Sequence, residues 1–107
     1  MDIQTALDLA VKFVDLANKT MPISNAYLFG STVQNLATDS SDIDVCLVSP
    51  NLGFDLIAET VRLSQMARSV DVRIEPHPMS ENDFKEKYNL LAHEVKTKGI
   101  PISISAN

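Results

Sequence analysis

The chain has 107 residues, 45% of them hydrophobic and 21% charged, with a formal net charge of −5 at pH 7. This length predicts one domain over residues 1–107, and the hydrophobic fraction excludes an intrinsically disordered chain. The single cysteine, Cys46, excludes a disulfide framework and a cysteine-based zinc site. No apolar run is long enough to span a membrane and the N-terminus does not resemble a signal peptide, so we expect a cytoplasmic protein with no membrane partner.

The basic residues avoid the middle of the chain. None lies between Met21 and Val61, a stretch that contains several aspartates. Because nucleic-acid binders neutralise phosphates with clustered Lys and Arg, this distribution disfavours direct binding to nucleic acid. An acidic central segment instead attracts cations and, through them, a small phosphate ligand.

The pattern of apolar residues predicts three helices and three strands in the order αββαβα, with a possible last strand. The predicted ranges begin with a helix over 2–19 capped by Asp2 and strands over 25–29 and 42–48. A helix over 54–69 follows, because Phe54, Ile57, Ala58 and Val61, with Leu56, Leu63 and Ala67, recur at helical spacing. The remaining ranges are a strand over 70–75 ended by Pro76-His77-Pro78, a helix opening at Ser80 and stopping at Gly99, and an edge strand over 100–104. This order predicts an α/β fold (α+β in some schemes), with a small mixed β-sheet flanked by helices.

The second predicted strand has two carboxylates on one face. Asp42 and Asp44 alternate with Ile43 and Val45, so the two carboxylates lie roughly 6–7 Å apart on the same side. Two anions side by side against a core are unfavourable unless a cation or hydrogen bonds compensate. Hard, oxygen-binding Mg²⁺ or Mn²⁺ suits such a pair.

A third carboxylate, Asp71, falls on the third predicted strand, on the polar face with Arg73 and Glu75. If that strand neighbours the second, three carboxylates converge and can hold two metal ions for in-line phosphoryl displacement. Structural roles stay open as alternatives: Asp42 as a turn cap and Asp71 as a strand start. Asp44 fits a structural role least, because a charge inside an apolar strand gains nothing structurally.

The first predicted strand ends in Gly30-Ser31. A strand that turns sharply at Gly-Ser can present backbone N–H groups and a hydroxyl to a phosphate, although this dipeptide alone is typical of ordinary turns. It is not a Walker loop, since no Gly-Lys-Ser/Thr is present.

Three other reactive side chains have structural interpretations. Cys46 shares the face of the two aspartates and is expected to be a buried small residue. His77, between two prolines, is interpreted as a loop residue, and His93 as a solvent-facing helix residue.

The motifs occur in a defined order: Leu28-Phe29-Gly30-Ser31, then ten residues, then Asp42-Ile43-Asp44. In this combination the chain resembles the DNA polymerase β-like nucleotidyltransferase superfamily. Along essentially its whole length it is similar to the stand-alone minimal nucleotidyltransferases, and the lone carboxylate in Val70-Asp71-Val72 also fits that family.

The resemblance implies a reaction and roles for five residues. Asp42 and Asp44 would bind two divalent ions, Mg²⁺ or Mn²⁺, and Asp71 would complete the site and act as general base. Gly30 would let the backbone approach the triphosphate, and Ser31 would hydrogen-bond its terminal phosphates. The implied reaction transfers a nucleoside monophosphate (AMP from ATP, or from another NTP) to a hydroxyl and releases pyrophosphate.

The resemblance also implies a partner. Minimal members resemble the antitoxin halves of toxin–antitoxin pairs whose partner is an all-helical HEPN protein, and some attach AMP to the toxin. A protein partner of that type, or a second copy of this chain in a homodimer, would then supply the acceptor site.

The chain departs from the family pattern directly after Gly30-Ser31. Many minimal members have an aromatic residue or Arg, then a basic residue and a glycine, where this chain has Thr32, Gln34 and Asn35. This departure leaves a second hypothesis, a catalytically weak or inactive member that acts as a partner-binding or nucleotide-sensing module.

Overall fold

The computed structural model describes residues 1–34 and 42–105, so Asn35 lies outside the described residues. The elements are α1 (Ile3–Asn18), β1 (Asn25–Phe29), β2 (Ile43–Ser49), α2 (Leu56–Arg68), β3 (Ile74–Ser80), α3 (Glu81–Lys85), α4 (Leu90–Lys98) and β4 (Ile100–Pro101). In the part of the chain that the structure describes, no helix combines the length and the apolar character needed to cross a membrane. The cytoplasmic location stays a prediction.

The first elements lie close to their predicted positions. Asp2 caps α1, and its carboxylate accepts the N–H of Thr5 at 2.7 Å. β1 occupies the predicted residues and ends at Gly30, whose φ is +83°. The strong apolar periodicity of these segments is sufficient to place them.

The four strands form one mixed sheet in the order β3-β2-β1-β4. β1 pairs antiparallel with both β2 and β4, whereas β2 pairs parallel with β3. The predicted small mixed sheet flanked by helices is therefore confirmed. β3 lies at one edge of this sheet.

Helices cover both faces of the sheet, and β2 runs through the middle. Its Val45 and Leu47 join a core with α1 and α2, while Cys46 and Val48 join a second core with α4. A strand buried on both faces has a nearly continuous apolar sequence. Within β2, Asp44 is therefore an unusual residue.

The apolar residues of the second predicted helix divide between solvent and core, and Phe54 lies before α2 begins at Leu56. Phe54 is 83% exposed, Ile57 79% and Val61 52%, whereas Leu63 and Ala67 are fully buried. At about 100° per residue, Val61 lies roughly 160° around the helix from Leu63, so the two side chains cannot face the same sheet.

The third strand lies further along the chain than the predicted range 70–75. The first four of those residues form the turn that leaves α2, where the N–H of Asp71 donates to the carbonyl of Ala67 at 2.9 Å. β3 begins at Ile74 and continues through Pro76-His77-Pro78, the segment predicted to end it. Prolines are tolerated there because β3 is an edge strand, where a missing N–H costs no ladder hydrogen bond.

The last predicted helix is interrupted. α3 begins at the predicted cap, where the hydroxyl of Ser80 accepts the N–H of Asp83 at 3.0 Å. The side chain of Asn89 then accepts the N–H of Ala92 at 2.9 Å and begins α4. A single continuous helix was the wrong prediction, because Asn favours a new cap over a helix interior. Gly99 ends α4 as predicted.

Candidate active site

Asp44 lies at the point where three strands approach one another. It stands opposite Glu75 in the parallel pairing with β3 and opposite Phe29 in the antiparallel pairing with β1. Gly30 follows Phe29 directly, so the end of β1 reaches the Asp44 carboxylate. The candidate site therefore forms where β1 ends and where β2 and β3 begin.

Gly30 is required at this position for two reasons. Its φ of +83° lies in the left-handed region that glycine adopts without strain. A Cβ at this position would collide with Oδ2 of Asp44 and lie 3.1 Å from its Cγ. The backbone continues into a turn in which the N–H of Gln34 donates to the carbonyl of Gly30 at 3.2 Å, and Ser31 is half-buried in this turn.

Thr32 connects the turn to the start of β2. It is only 2% exposed, and its hydroxyl donates to the carbonyl oxygen of Asp42 at 3.5 Å. Thr32 therefore has a packing role. It brings the Gly30 turn and Asp42 together.

Three carboxylates and one imidazole meet at the surface of the sheet. Asp44, Glu75 and His77 each offer a ligand atom, and these atoms lie within 4.8 Å of one another. Nε2 of His77 lies 3.0 Å from Oδ1 of Asp44, and its ring packs edge-on against Phe29 with the ring centroids 4.9 Å apart. Asp42 joins this group, because a protonated Glu75 carboxyl can donate a hydrogen bond to the Asp42 carboxylate.

The crowding of negative charge changes the acidity of Glu75. Partial desolvation raises the pKa of Glu75 most, and the hydrogen bond with Asp42 raises it next. The charges of Asp44 and Asp42 raise the pKa of Glu75 further, while His77 acts in the opposite direction. A cation bound beside such a carboxyl would stabilise its ionised form.

Asp71 does not belong to this group. Its carboxylate accepts three hydrogen bonds from Arg73: from the backbone N–H at 2.8 Å, from Nε at 2.9 Å and from Nη2 at 2.9 Å. The side-chain bonds from Arg73 are the largest cause that holds the pKa of Asp71 below its usual value. Because β3 begins after Asp71, the strand position opposite Asp44 belongs to Glu75. A role for Asp71 as a metal ligand stays a prediction from the resemblance.

His77 is the residue that sequence reasoning missed. Its flanking prolines indicated a loop, whereas period-2 alternation from Glu75 places His77 on the same strand face. Cys46, opposite His77 in the pairing, is fully buried, and burial raises the pKa of its thiol to about 12. The predictions of a buried Cys46 and an exposed His93 are confirmed.

Two depressions border Glu75. A cleft of about 330 Å³ is lined by Asp42, Arg68, Arg73 and Glu75 among others, and a groove of about 260 Å³ by Glu75 and His77 among others. The middle of the sequence has no basic residue, but Arg68 from α2 and Arg73 from the turn before β3 reach the border of the site.

Known proteins share this architecture. Residues 2–96 match the family described as the central palm domain of the mitochondrial-like poly(A) RNA polymerase. A protein from Sulfolobus solfataricus described as a nucleotidyltransferase superposes with a TM-score of 0.65 at 17% identity, over 91% of this chain and 78% of that one. No protein of curated function matches the sequence.

Toxin–antitoxin structures are similar as well. One, solved with AMP-PNP, has a TM-score of 0.64 at 23% identity, over 92% of this chain and 73% of that one. A variant of the MntA–HpeT toxin–antitoxin complex has a TM-score of 0.61 at 26% identity, over 88% and 71%.

The fold and these similarities together define a nucleotidyltransferase. The chain belongs to the family of the central palm domain of mitochondrial-like poly(A) RNA polymerases. The fold implied by the resemblance to the polymerase β-like superfamily is thereby confirmed.

Proposed function

We propose that this nucleotidyltransferase transfers AMP from ATP, or another nucleoside monophosphate from its NTP, to a hydroxyl of an acceptor. Divalent metal ions at Asp42, Asp44 and Glu75 would serve this reaction. The main support is the convergence of these three carboxylates beside the Gly30-Ser31 turn. Glu75 takes the position that the resemblance assigned to Asp71.

The residues present fit a divalent cation. Desolvation raises the pKa of Glu75 most, and the neighbouring carboxyls Asp42 and Asp44 raise it further. The missing side chain of Gly30 leaves room for the Asp44 carboxylate. Bound Mg²⁺ or Mn²⁺ would supply charge stabilisation to the transferring phosphoryl group.

The protein's own groups bind and orient the nucleotide. The half-buried turn at Gly30 would bring backbone N–H groups and the Ser31 hydroxyl to the edge of the site, where they suit the terminal phosphates. A carboxylate of the cluster receives the proton of the acceptor hydroxyl. Asp71 acts as a positioning residue, since its bidentate pair orients Arg73, which lines the cleft beside Asp42.

We propose a protein as the acceptor. The similar solved structures include toxin–antitoxin complexes, one of them with AMP-PNP. The exposed apolar side chains of Ile57 and Val61 on α2, and of Phe54 just before it, support a protein contact there. An all-helical HEPN-type partner, or a second copy of this chain, would supply the acceptor hydroxyl to the site.

One observation favours the alternative of a weak or inactive member. No basic residue lies between Met21 and Val61, so the Gly30 turn offers no local cation to the phosphates. The border position of Arg68 and Arg73 favours activity instead.

The test is label transfer from α-labelled ATP with Mg²⁺ or Mn²⁺ to the protein itself and to the product of the adjacent reading frame. We expect wild type and the surface control His93→Gln to transfer label, and Asp44→Asn to lose the activity. If wild type transfers no label from any NTP, or if Asp44→Asn labels equally well, the catalytic proposal is wrong and the binding-module alternative is favoured.

A further inference from the structure

His77 brings a nitrogen donor into a site otherwise made of carboxylates. On β3 it stands opposite Cys46 of β2, two residues beyond Glu75, which pairs with Asp44. Its side chain is 29% exposed, and that of Asp44 is 20% exposed, so both side chains border solvent. A small ion can reach both groups from the same side.

The ring of His77 is held in a defined orientation. It packs edge-on against Phe29 at 4.9 Å between ring centroids, at an interplanar angle of 68°. With this packing, Nε2 lies 3.0 Å from Oδ1 of Asp44. The imidazole nitrogen thus points to the carboxylate cluster instead of to open solvent.

The spacing of the donor atoms matches the coordination shell of a small divalent ion. Two ligand atoms at right angles, each about 2.1 Å from an ion, are about 3.0 Å apart, and opposite ligands are about 4.2 Å apart. The 3.0 Å separation of His77 and Asp44 corresponds to adjacent ligands. The limit of 4.8 Å for all three residues, including Glu75, leaves only a small adjustment for an ion to bind between them.

We propose that Nε2 of His77 is a metal ligand alongside Asp44 and Glu75, and that this mixed nitrogen–oxygen set makes the site select Mn²⁺ over Mg²⁺. Mg²⁺ prefers oxygen ligands and water, whereas imidazole is a good ligand for transition-metal ions. This inference deepens the proposed function, on which it rests for the location of the metal.

The test uses the whole protein labelled with ¹⁵N at its histidines, with Mn²⁺ added and no nucleotide, so that the nucleotide contributes no nitrogen. Electron spin-echo spectroscopy of bound Mn²⁺ should show a ¹⁵N coupling in wild type. The chain has two histidines, so His93→Gln retains only His77 and is the matched control. We expect the coupling to persist in His93→Gln and to disappear in His77→Gln.

Metal titrations give a second readout. We expect His77→Gln to lose at least about tenfold in Mn²⁺ affinity while its Mg²⁺ affinity stays unchanged. Equal losses for both ions would mean that His77 only positions Asp44, and the ligand role would be wrong. Bound Mn²⁺ without a ¹⁵N coupling in wild type would also overturn it. If His77→Gln does not fold, the coupling in His93→Gln decides the question.

The two proposals fail separately. If the protein transfers label but its bound Mn²⁺ shows no histidine coupling, the ligand role of His77 is wrong and the proposed transferase activity is supported. If the bound Mn²⁺ shows a histidine coupling but the protein transfers no label, the ligand role is supported and the proposed transferase activity is wrong.

Discussion

Glu75 stands directly opposite Asp44 across the parallel pair formed by β2 and β3. The two residues are far apart in the sequence, but neighbouring strands lie only about 4.8 Å apart. Their side chains emerge on the same face, and the hydrogen bond between Glu75 and Asp42 adds the third carboxylate. The acidic cluster is therefore a product of strand register, since a shift of β3 by one residue would turn Glu75 to the opposite face.

The first prediction compares two carboxylates by activity. Glu75→Gln removes a carboxylate from the cluster, so we expect nucleotidyl transfer to fall at least about a hundredfold. Asp71→Asn weakens the pair that orients Arg73, so it should lower the activity far less than Glu75→Gln and lose about 1 kcal/mol of folding free energy. The measurements are label transfer and urea unfolding. The opposite ranking of activities would assign the third carboxylate to Asp71.

The second prediction concerns metal and stability. Bound Mg²⁺ or Mn²⁺ stabilises the folded state by about 1.4 kcal/mol when the ion is at ten times its Kd. For a domain of this size, that corresponds to a melting temperature several degrees higher. Differential scanning calorimetry of wild type and Asp44→Asn measures the shift, which should be absent in the variant. If millimolar metal leaves the wild-type melting temperature unchanged, with and without nucleotide, the result would contradict a metal site.

The third prediction concerns the metal-free protein. Because the pKa of Glu75 is raised in the folded state, ionisation of Glu75 at neutral pH opposes folding. Glu75→Gln should therefore be more stable than wild type at pH 7 without metal. The difference should shrink as the pH falls through the raised folded pKa of Glu75 and vanish below its usual value, because Glu75 is then neutral in both states.

The control for this stability measurement is Glu86→Gln, in the segment between α3 and α4, which should leave stability nearly unchanged. Urea unfolding at several pH values, with a chelator present, gives the comparison. A Glu75→Gln variant less stable than wild type at pH 7 would show that the carboxylate is compensated within the protein.

The fourth prediction uses two glycines with positive φ. Gly30→Ala strains the backbone at φ +83° and displaces the Asp44 carboxylate, so both stability and transfer should fall. Gly53→Ala also strains the backbone, at φ +98°, but its Cβ would collide with the side chain of Ser80, which lies outside the acidic cluster. It should lose a similar stability, about 1–2 kcal/mol, and retain transfer and metal binding. Equal losses of transfer in both variants would show that the defect is one of folding.

The sequence was sufficient for the elements with a strong apolar period. β1 and β2 follow it almost residue for residue, and the paired aspartates at the start of β2 stand out for the same reason. Gly30 was also recognisable, because its position between a buried strand and Ser31 requires a sharp turn.

The third strand was misplaced because the alternation of apolar and polar residues begins at Val70, whereas the strand itself begins at Ile74. Asp71 and Arg73 have the same parity as Glu75, so the polar face was predicted correctly while the strand start was not. The N–H groups of Val70 and Asp71 both donate to the carbonyl of Ala67, which shows that the segment still belongs to the end of α2. The position of His77 could not be predicted while its prolines were interpreted as a strand end.

The prolines of β3 also limit how the protein can assemble. Successive residues of a strand present their backbone groups to alternate sides, so Pro76 and Pro78 face the same way. Since the other side pairs with β2, these two positions lie along the outer margin of the sheet and present no N–H donor there. An incoming chain therefore finds no ladder of donors to extend, and β3 stays the terminal strand. A chain that approaches this margin meets side chains and not a continuous row of backbone donors.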